Sequence, residues 1–315
     1  MTARRTHLPQ LDADVFLTDG GLETTLIFDD GLELPDFAAF LLLAEPDGRA
    51  ALVRYFDRYA EIARRERVGL VLETPTWRAN PDWGARQGYG VAELARANRD
   101  GVELLTDVRS RWETPETPVV ISGCIGPRGD GYRPDDLMSP DQARTYHSEQ
   151  IQVFADAGAD LVTSMTITYP AEAIGLTEAA RSAGMPIVVS FTVETDGRLP
   201  TGETLGEAIE IVDEATDRHP AYYMVNCAHP THFADILDTT APWAQRIRGI
   251  RANASRRSHA ELDEAEELDS GDPTELAADY LALRSKLPRL TVLGGCCGTN
   301  HEHVDAISTA VLSDR

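Results

Sequence analysis

The chain has 315 residues, 42% of them hydrophobic, and 52 acidic against 29 basic residues give a formal charge of −23. That charge argues against a nucleic-acid backbone as partner, since phosphates demand Lys and Arg. No apolar run approaches the roughly 18–20 residues of a membrane span, and the opening MTARRTHLPQLDADVF lacks the apolar centre of a secretory signal, which predicts a cytoplasmic protein.

In chain order, the first strand is expected at VFLTD (15–19), followed by a helix with apolar positions at helical spacing over 48–67. VGLVLET (68–74) is the second strand and VVISG (119–123) the third. A helix over 139–159 opens on a Ser cap with Pro in its first turn and closes at Gly158. DLVTSM (160–165), IVVSFT (187–192), YYMVNC (222–227) and RIRGIRA (246–252) are strands four to seven. A long segment, 253–272, with the acidic run HAELDEAEELDSGD, reads as a solvated loop after strand seven. A helix over 272–287, the strand TVLGG (291–295) and a helix over 301–312 complete the chain. The strands are continuous apolar runs, the pattern of strands buried on both faces. Eight strands alternating with helices predict an α/β fold, a single-domain (β/α)₈ TIM barrel over 1–315. No GxGxxG follows the first strand to support a doubly wound open sheet.

Four cysteines, Cys124, Cys227, Cys296 and Cys297, in a chain with no secretory signal point to metal or catalysis rather than to a disulfide framework. Reactive groups of a barrel sit at the carboxyl ends of its strands. Cys227 ends the sixth strand and Cys296–Cys297 end the eighth. One strand lies between, so their sulfurs can converge over the mouth, with Gly294 and Gly295 expected to make the sharp turn that aims both neighbours. Three thiolates and one open position match a catalytic zinc site, and all-sulfur ligation favours zinc over harder metals. The competing reading of a strand-end cysteine is a small buried hydrophobe, and it is preferred for Cys124. His301 and His303 stand near the pair but belong to a helix start.

The stretches VLGGCCGTNHEHVDAI (292–307), NCAHP (226–230), TDGGLETTL (18–26), SFTVETDGRLPTGETLGEAI (190–209) and GADLV (158–162) resemble the homocysteine S-methyltransferases, in order and across nearly the whole chain. The resemblance implies a barrel holding zinc through Cys227, Cys296 and Cys297, with a substrate thiol as the fourth ligand. It implies methyl transfer from a small sulfonium donor, S-methylmethionine or S-adenosylmethionine, to homocysteine, giving methionine. Asp19, Gly20 and Gly21 would hold the amino-acid end of homocysteine, the glycines through their backbone, and Asn226 would contact substrate or brace the site. Asn253 also matches a family position. The chain ends soon after its last helix, without the extension of the betaine enzymes, and carries no DxHxxG cobalamin motif. A monomer or weak homo-oligomer taking its methyl directly from a small donor is therefore expected.

Two positions depart from the family. Met165 stands where the family has a Glu that holds the substrate amine, and Glu23 stands where a small residue is usual. Either Glu23 replaces the missing carboxylate or the acceptor is a thiol with no free amine. Trp77 and Trp83, in ETPTWRANPDWG, would wall a donor pocket, since aromatic faces attract sulfonium cations. The rival from another class is a noncatalytic zinc-binding or redox protein using the same cysteines.

Overall fold

Strands rich in Val, Ile and Leu on both faces need cover on both sides, and a closed ring of strands inside a ring of helices provides it. In the computed structural model, which describes residues 3–265 and 267–313, eight parallel strands follow one another round a closed barrel. They are β1 (Phe16–Leu17), β2 (Gly69–Glu73), β3 (Val119–Ile125), β4 (Leu161–Ile167), β5 (Ile187–Phe191), β6 (Tyr222–Asn226), β7 (Ile247–Ala252) and β8 (Val292–Gly295). β8 closes on β1 with Val292 opposite Phe16. All eight expected strands form, and the (β/α)₈ barrel is the fold.

Local signals set the helices. The helix Pro140–Ala157 begins where Ser139 Oγ accepts from Gln142 N at 3.3 Å and Gln142 Oε1 accepts from Ser139 N at 2.8 Å, and it ends at Gly158 in the left-handed region, φ 89°. Asp272 caps Pro273–Lys286 by accepting from the N–H groups of Thr274 and Glu275. Further crossover helices run over Pro46–Glu66, Val91–Trp112, Pro170–Ser182 and Leu205–Ala215. The alternation is broken once. Between β6 and β7 there is only the short helix Pro230–Phe233 and a 3₁₀ turn at Ala244–Arg246, because the intervening DTTAPW (238–243) combines two β-branched residues with a proline.

Alternate strand residues face two cores. Leu70, Leu72, Val119, Ile121, Val162 and Val189 join the large core under the helices, while Phe16, Val71, Val120, Leu161, Val188, Tyr222 and Val292 pack inside the barrel. That inner layer sits at the amino ends of the strands. The Phe16 ring fills the space a side chain at Gly69 would need, and the segment Pro9–Leu11 covers the floor, where Gln10 Nε2 reaches Tyr222 Oη at 3.5 Å. No helix among the described residues is long and apolar enough to cross a membrane.

Candidate active site

Cys227 immediately follows β6 and has a left-handed backbone, φ 54°, a conformation that costs a non-glycine residue roughly 1–2 kcal/mol. Hydrogen bonds hold it there. Its N–H donates to Arg251 O (3.1 Å), and its carbonyl accepts from Asn253 Nδ2 (3.0 Å) and His259 Nε2 (2.6 Å). So placed, Cys227 Sγ lies 4.0 Å from Cys297 Sγ, and the sulfurs of Cys227, Cys296 and Cys297 all fall within 4.8 Å of one another. A tetrahedral ion with metal–sulfur bonds of about 2.3 Å needs sulfurs about 3.8 Å apart, so only a small contraction would close the set. No other trio of His, Cys, Asp or Glu among the described residues converges in this way.

The donor chemistry fits a borderline-soft divalent ion: three sulfurs and no carboxylate oxygen. Thiol contacts from Cys296 and Cys297 draw the Cys227 sulfur well below the usual thiol range, while contact with Cys227 pushes Cys297 up and Cys296 up to about 12. The cluster borders a cavity of about 770 Å³ at the carboxyl ends of the strands, and Cys296 and Cys297 are only partly buried, which leaves the cluster reachable. Cys124, by contrast, is buried in β3 outside the sulfur trio.

The glycines before the pair do not make the turn expected of them. Gly294 and Gly295 are extended residues of β8. A Cβ on Gly294 would run into Thr18 Oγ1, and one on Gly295 into Thr299 Oγ1. They are glycines because β1 and the following turn pack directly on them; the positive φ comes later, at Gly298 (78°).

Asn226 braces the site rather than facing solvent. Its Oδ1 accepts from Ser190 Oγ (2.6 Å) and from Thr166 N (2.9 Å), and its Nδ2 donates to Thr166 Oγ1 (2.8 Å) with Cys296 Sγ at 4.0 Å. Thr166 is itself left-handed, φ 62°, at an irregularity of β4, and its hydroxyl sits 3.9 Å from Cys227 Sγ. From the loop after β3, Tyr132 Oη reaches within 3.9 Å of Cys297 Sγ, and its ring stacks on His259 at 4.0 Å. His259 also donates from Nδ1 to Glu194 Oε1 at 3.0 Å, which offsets the effect of burial and raises its pKa.

Asp19, Gly20 and Gly21 line the same cavity, but their polar groups are largely engaged. Asp19 Oδ1 pairs with Arg251 Nη1 at 2.8 Å and Oδ2 accepts from Tyr55 Oη at 3.0 Å. Burial raises the Asp19 pKa and Arg251 opposes it. Gly21 N–H donates to Thr299 O at 2.9 Å, and a Cβ there would strike the Cys296 carbonyl. Arg251, at the end of β7, also donates to Gly295 O and Gly20 O, both at 3.0 Å, tying β7, β8 and β1 together. Burial works against its charge, but Asp19, Glu73 and Cys296 more than compensate. Glu73, the last residue of β2, is buried with Oε2 unpartnered, and burial lifts its pKa to about 7. Glu23 borders the cavity as well, lifted to about 7 by burial with Cys296 and Asp19 adding to it. Met165 lines the cavity with a thioether. The sequence reading missed Arg251 and Glu73; a charged residue ending an otherwise apolar barrel strand was the signal available.

The tryptophan faces are occupied. The Arg78 guanidinium lies 4.0 Å from the Trp77 ring and 3.5 Å from the Trp83 ring, and Arg86 lies 4.5 Å from Trp83. The expected sulfonium wall is therefore a seat for this chain's own arginine. His301 and His303 open the final helix, His303 donating from Nε2 to Ser270 O at 2.8 Å, and neither joins the sulfurs.

The family model described as homocysteine S-methyltransferase matches residues 16–311. Homocysteine S-methyltransferase 1 of Arabidopsis thaliana is 22% identical, covering 93% of this chain and 92% of its own. Selenocysteine Se-methyltransferase of Brassica oleracea var. italica is 24% identical over 95% of this chain and 89% of its own. Among solved structures, the metallated form of the homocysteine methyltransferase MmuM from Escherichia coli superposes with a TM-score of 0.72 at 20% identity, covering 96% of this chain and 98% of that one.

Proposed function

We infer the activity from one premise: this chain belongs to the homocysteine S-methyltransferase family and is a methyltransferase. The reaction proposed moves a methyl group from S-methylmethionine or S-adenosylmethionine to homocysteine, giving methionine. The acceptor sulfur attacks the methyl carbon in line. The donor's S–CH₃ bond breaks, its electron pair stays on the donor sulfur, and a neutral thioether leaves. Cys227, Cys296 and Cys297 would hold zinc, which when bound supplies the Lewis acid that keeps a thiol deprotonated near neutral pH. Without such help a thiol of pKa about 8.5 is mostly protonated there. The chain's own residues do the positioning. Asn253 and His259 fix Cys227 through its carbonyl, and Asn226 fixes Thr166 beside it.

The observation that supports this reading is the convergence of three sulfur donors at a barrel mouth bordering one cavity. The test is metal content of protein purified under reducing conditions, followed by a donor-by-acceptor matrix read by mass spectrometry. One zinc per chain and methionine from a sulfonium donor are expected. Zinc-replete protein that methylates no thiol overturns the reading.

Met165 and the engagement of Asp19 with Arg251 leave two readings of the acceptor, an amine-bearing thiol held by another carboxyl or a thiol with no amine. Glu23 is the cavity carboxyl proposed to take an ammonium in their place. On that basis Glu23→Gln raises KM for homocysteine and spares 4-mercaptobutanoate, the same thiol acid without its amine. A wild type that prefers 4-mercaptobutanoate identifies an amine-free acceptor instead.

A further inference from the structure

Two buried arginines border the cavity, and their situations are opposite. Arg251 spends its guanidinium on Asp19 and two backbone carbonyls. Arg78 is also 7% exposed, yet among the described residues its one hydrogen bond is from Nη1 to Gly129 O at 3.3 Å, and its Nε has no partner there. Among the described residues no carboxylate comes within ion-pairing distance, 4.0 Å, of its guanidinium; Arg78 takes part in none of the salt bridges. Burial brings its pKa down to about 10, so it stays cationic at neutral pH.

The indoles that clamp it are themselves fixed. Trp77 Nε1 donates to Met165 O at 3.3 Å and Trp83 Nε1 to Gly129 O at 3.2 Å. Trp77 thus sits against the end of β4, next to Thr166 and the sulfur cluster. The acids whose fields reach Arg78 are mostly committed elsewhere. Asp36 pairs with Arg86 at 2.7 Å and accepts from Gln87 at 2.5 Å, and Asp130 Oδ1 accepts from the N–H groups of Tyr132 (2.8 Å) and Arg133 (3.1 Å). Glu23 is the remaining one, and among the described residues no ion pair joins it to Arg78. A desolvated guanidinium with a fixed plane and an unused N–H is a strong receptor for a carboxylate.

We propose that Arg78, clamped between Trp77 and Trp83 at the cavity edge, is the specificity residue that receives a substrate carboxylate. This rests on the methyl-transfer reading for what the substrate is, and not for whether an anion binds. Acceptor and donor amino acids both carry a carboxylate, so the chemistry is shared and the test assigns it.

The first arm titrates the full chain with butyrate and with butyramide and reads indole fluorescence, because Trp77 and Trp83 touch the guanidinium. A saturable change with butyrate, absent with butyramide and absent in Arg78→Met, is expected. A wild type that does not distinguish the two overturns the proposal. Arg78→Lys keeps the charge and restores part of the response; it also serves if Arg78→Met fails to fold. The second arm measures methyl transfer in Arg78→Lys and Arg78→Met. KM rises at least tenfold for the carboxylate-bearing partner, acceptor or donor, relative to its decarboxylated analogue, while kcat stays within threefold. Unchanged KM for both partners overturns the substrate role. A wild type with no methyl transfer removes the reaction assigned above and leaves the first arm standing.

Discussion

The two ends of one barrel are built from the same eight strands and do opposite things. At the amino ends the interior is a plug of buried side chains from Phe16, Val71, Val120, Leu161, Val188, Tyr222 and Val292. A few residues further along the same strands, the interior holds Glu73, Cys124, Met165, Asn226 and Arg251. The difference teaches that stability and chemistry are separated along the strand axis by one or two pleats. A substitution's effect then depends on height in the barrel more than on which strand carries it. Arg251 is the exception: it sits at the mouth but bonds β7 to β8 and β1 like a structural residue.

The sharpest way to break this contrast is Cys227→Ser. It should lower metal affinity by more than the ~10–100-fold typical of residues that merely support a ligand, and abolish turnover, while the melting temperature of the metal-free chain moves little. Metal titration and calorimetry check both halves. Phe16→Ala tests the other end: a loss of about 3–5 kcal/mol in stability, measured by denaturant unfolding, with metal content per folded chain unchanged. Arg251→Met should resemble Phe16→Ala although it lies at the mouth, costing about 3–5 kcal/mol by leaving Asp19 buried without its cation; stability equal to wild type would return Arg251 to the chemical end. Asn226→Ala should fall between the two, with metal affinity down ~10–100-fold and stability down about 1–3 kcal/mol from the orphaned Thr166 and Ser190 donors.

The smallest effect is in pH. Glu73 moves from 4.5 to about 7 on folding, chiefly through burial. The folded chain then binds the extra proton between those values, so this residue's contribution is complete below pH 4.5 and is lost as pH rises through 7. Glu73→Gln should therefore flatten the decline in melting temperature between pH 5 and 8 by a few degrees, on the order expected for one titrating group in a chain this long. Parallel curves for variant and wild type would show Glu73 to be uncoupled from folding.

The eight strands were legible because Val-, Ile- and Leu-rich runs covered on both faces leave no alternation to confuse them with surface strands. The three cysteines were legible because strand ends in a barrel share one rim. The missing crossover helix after β6 was hidden because strand signals on either side made the segment look like one more unit. Arg251 and Glu73 stayed hidden for a physical reason: whether a lone charge in an apolar strand faces solvent or the barrel axis depends on closure, which no local pattern states. Arg78 stayed hidden behind its neighbours, since Trp77 and Trp83 advertise a cation site without saying that the cation is already in the chain. Gly294 and Gly295 were noticed for the wrong property, flexibility, when the reason is contact with Thr18 and Thr299.

One consequence follows from the backbone of Cys227. Glycine occupies its φ of 54° without penalty, so Cys227→Gly should give a metal-free chain more heat-resistant than Cys227→Ala, by about 1 kcal/mol. Among sulfur-free replacements at this position, backbone stability alone would therefore select glycine. Thermostabilising designs on this scaffold should keep residue 227 fixed, because the search gradient there points toward a sturdier backbone with one of the three converging sulfurs gone.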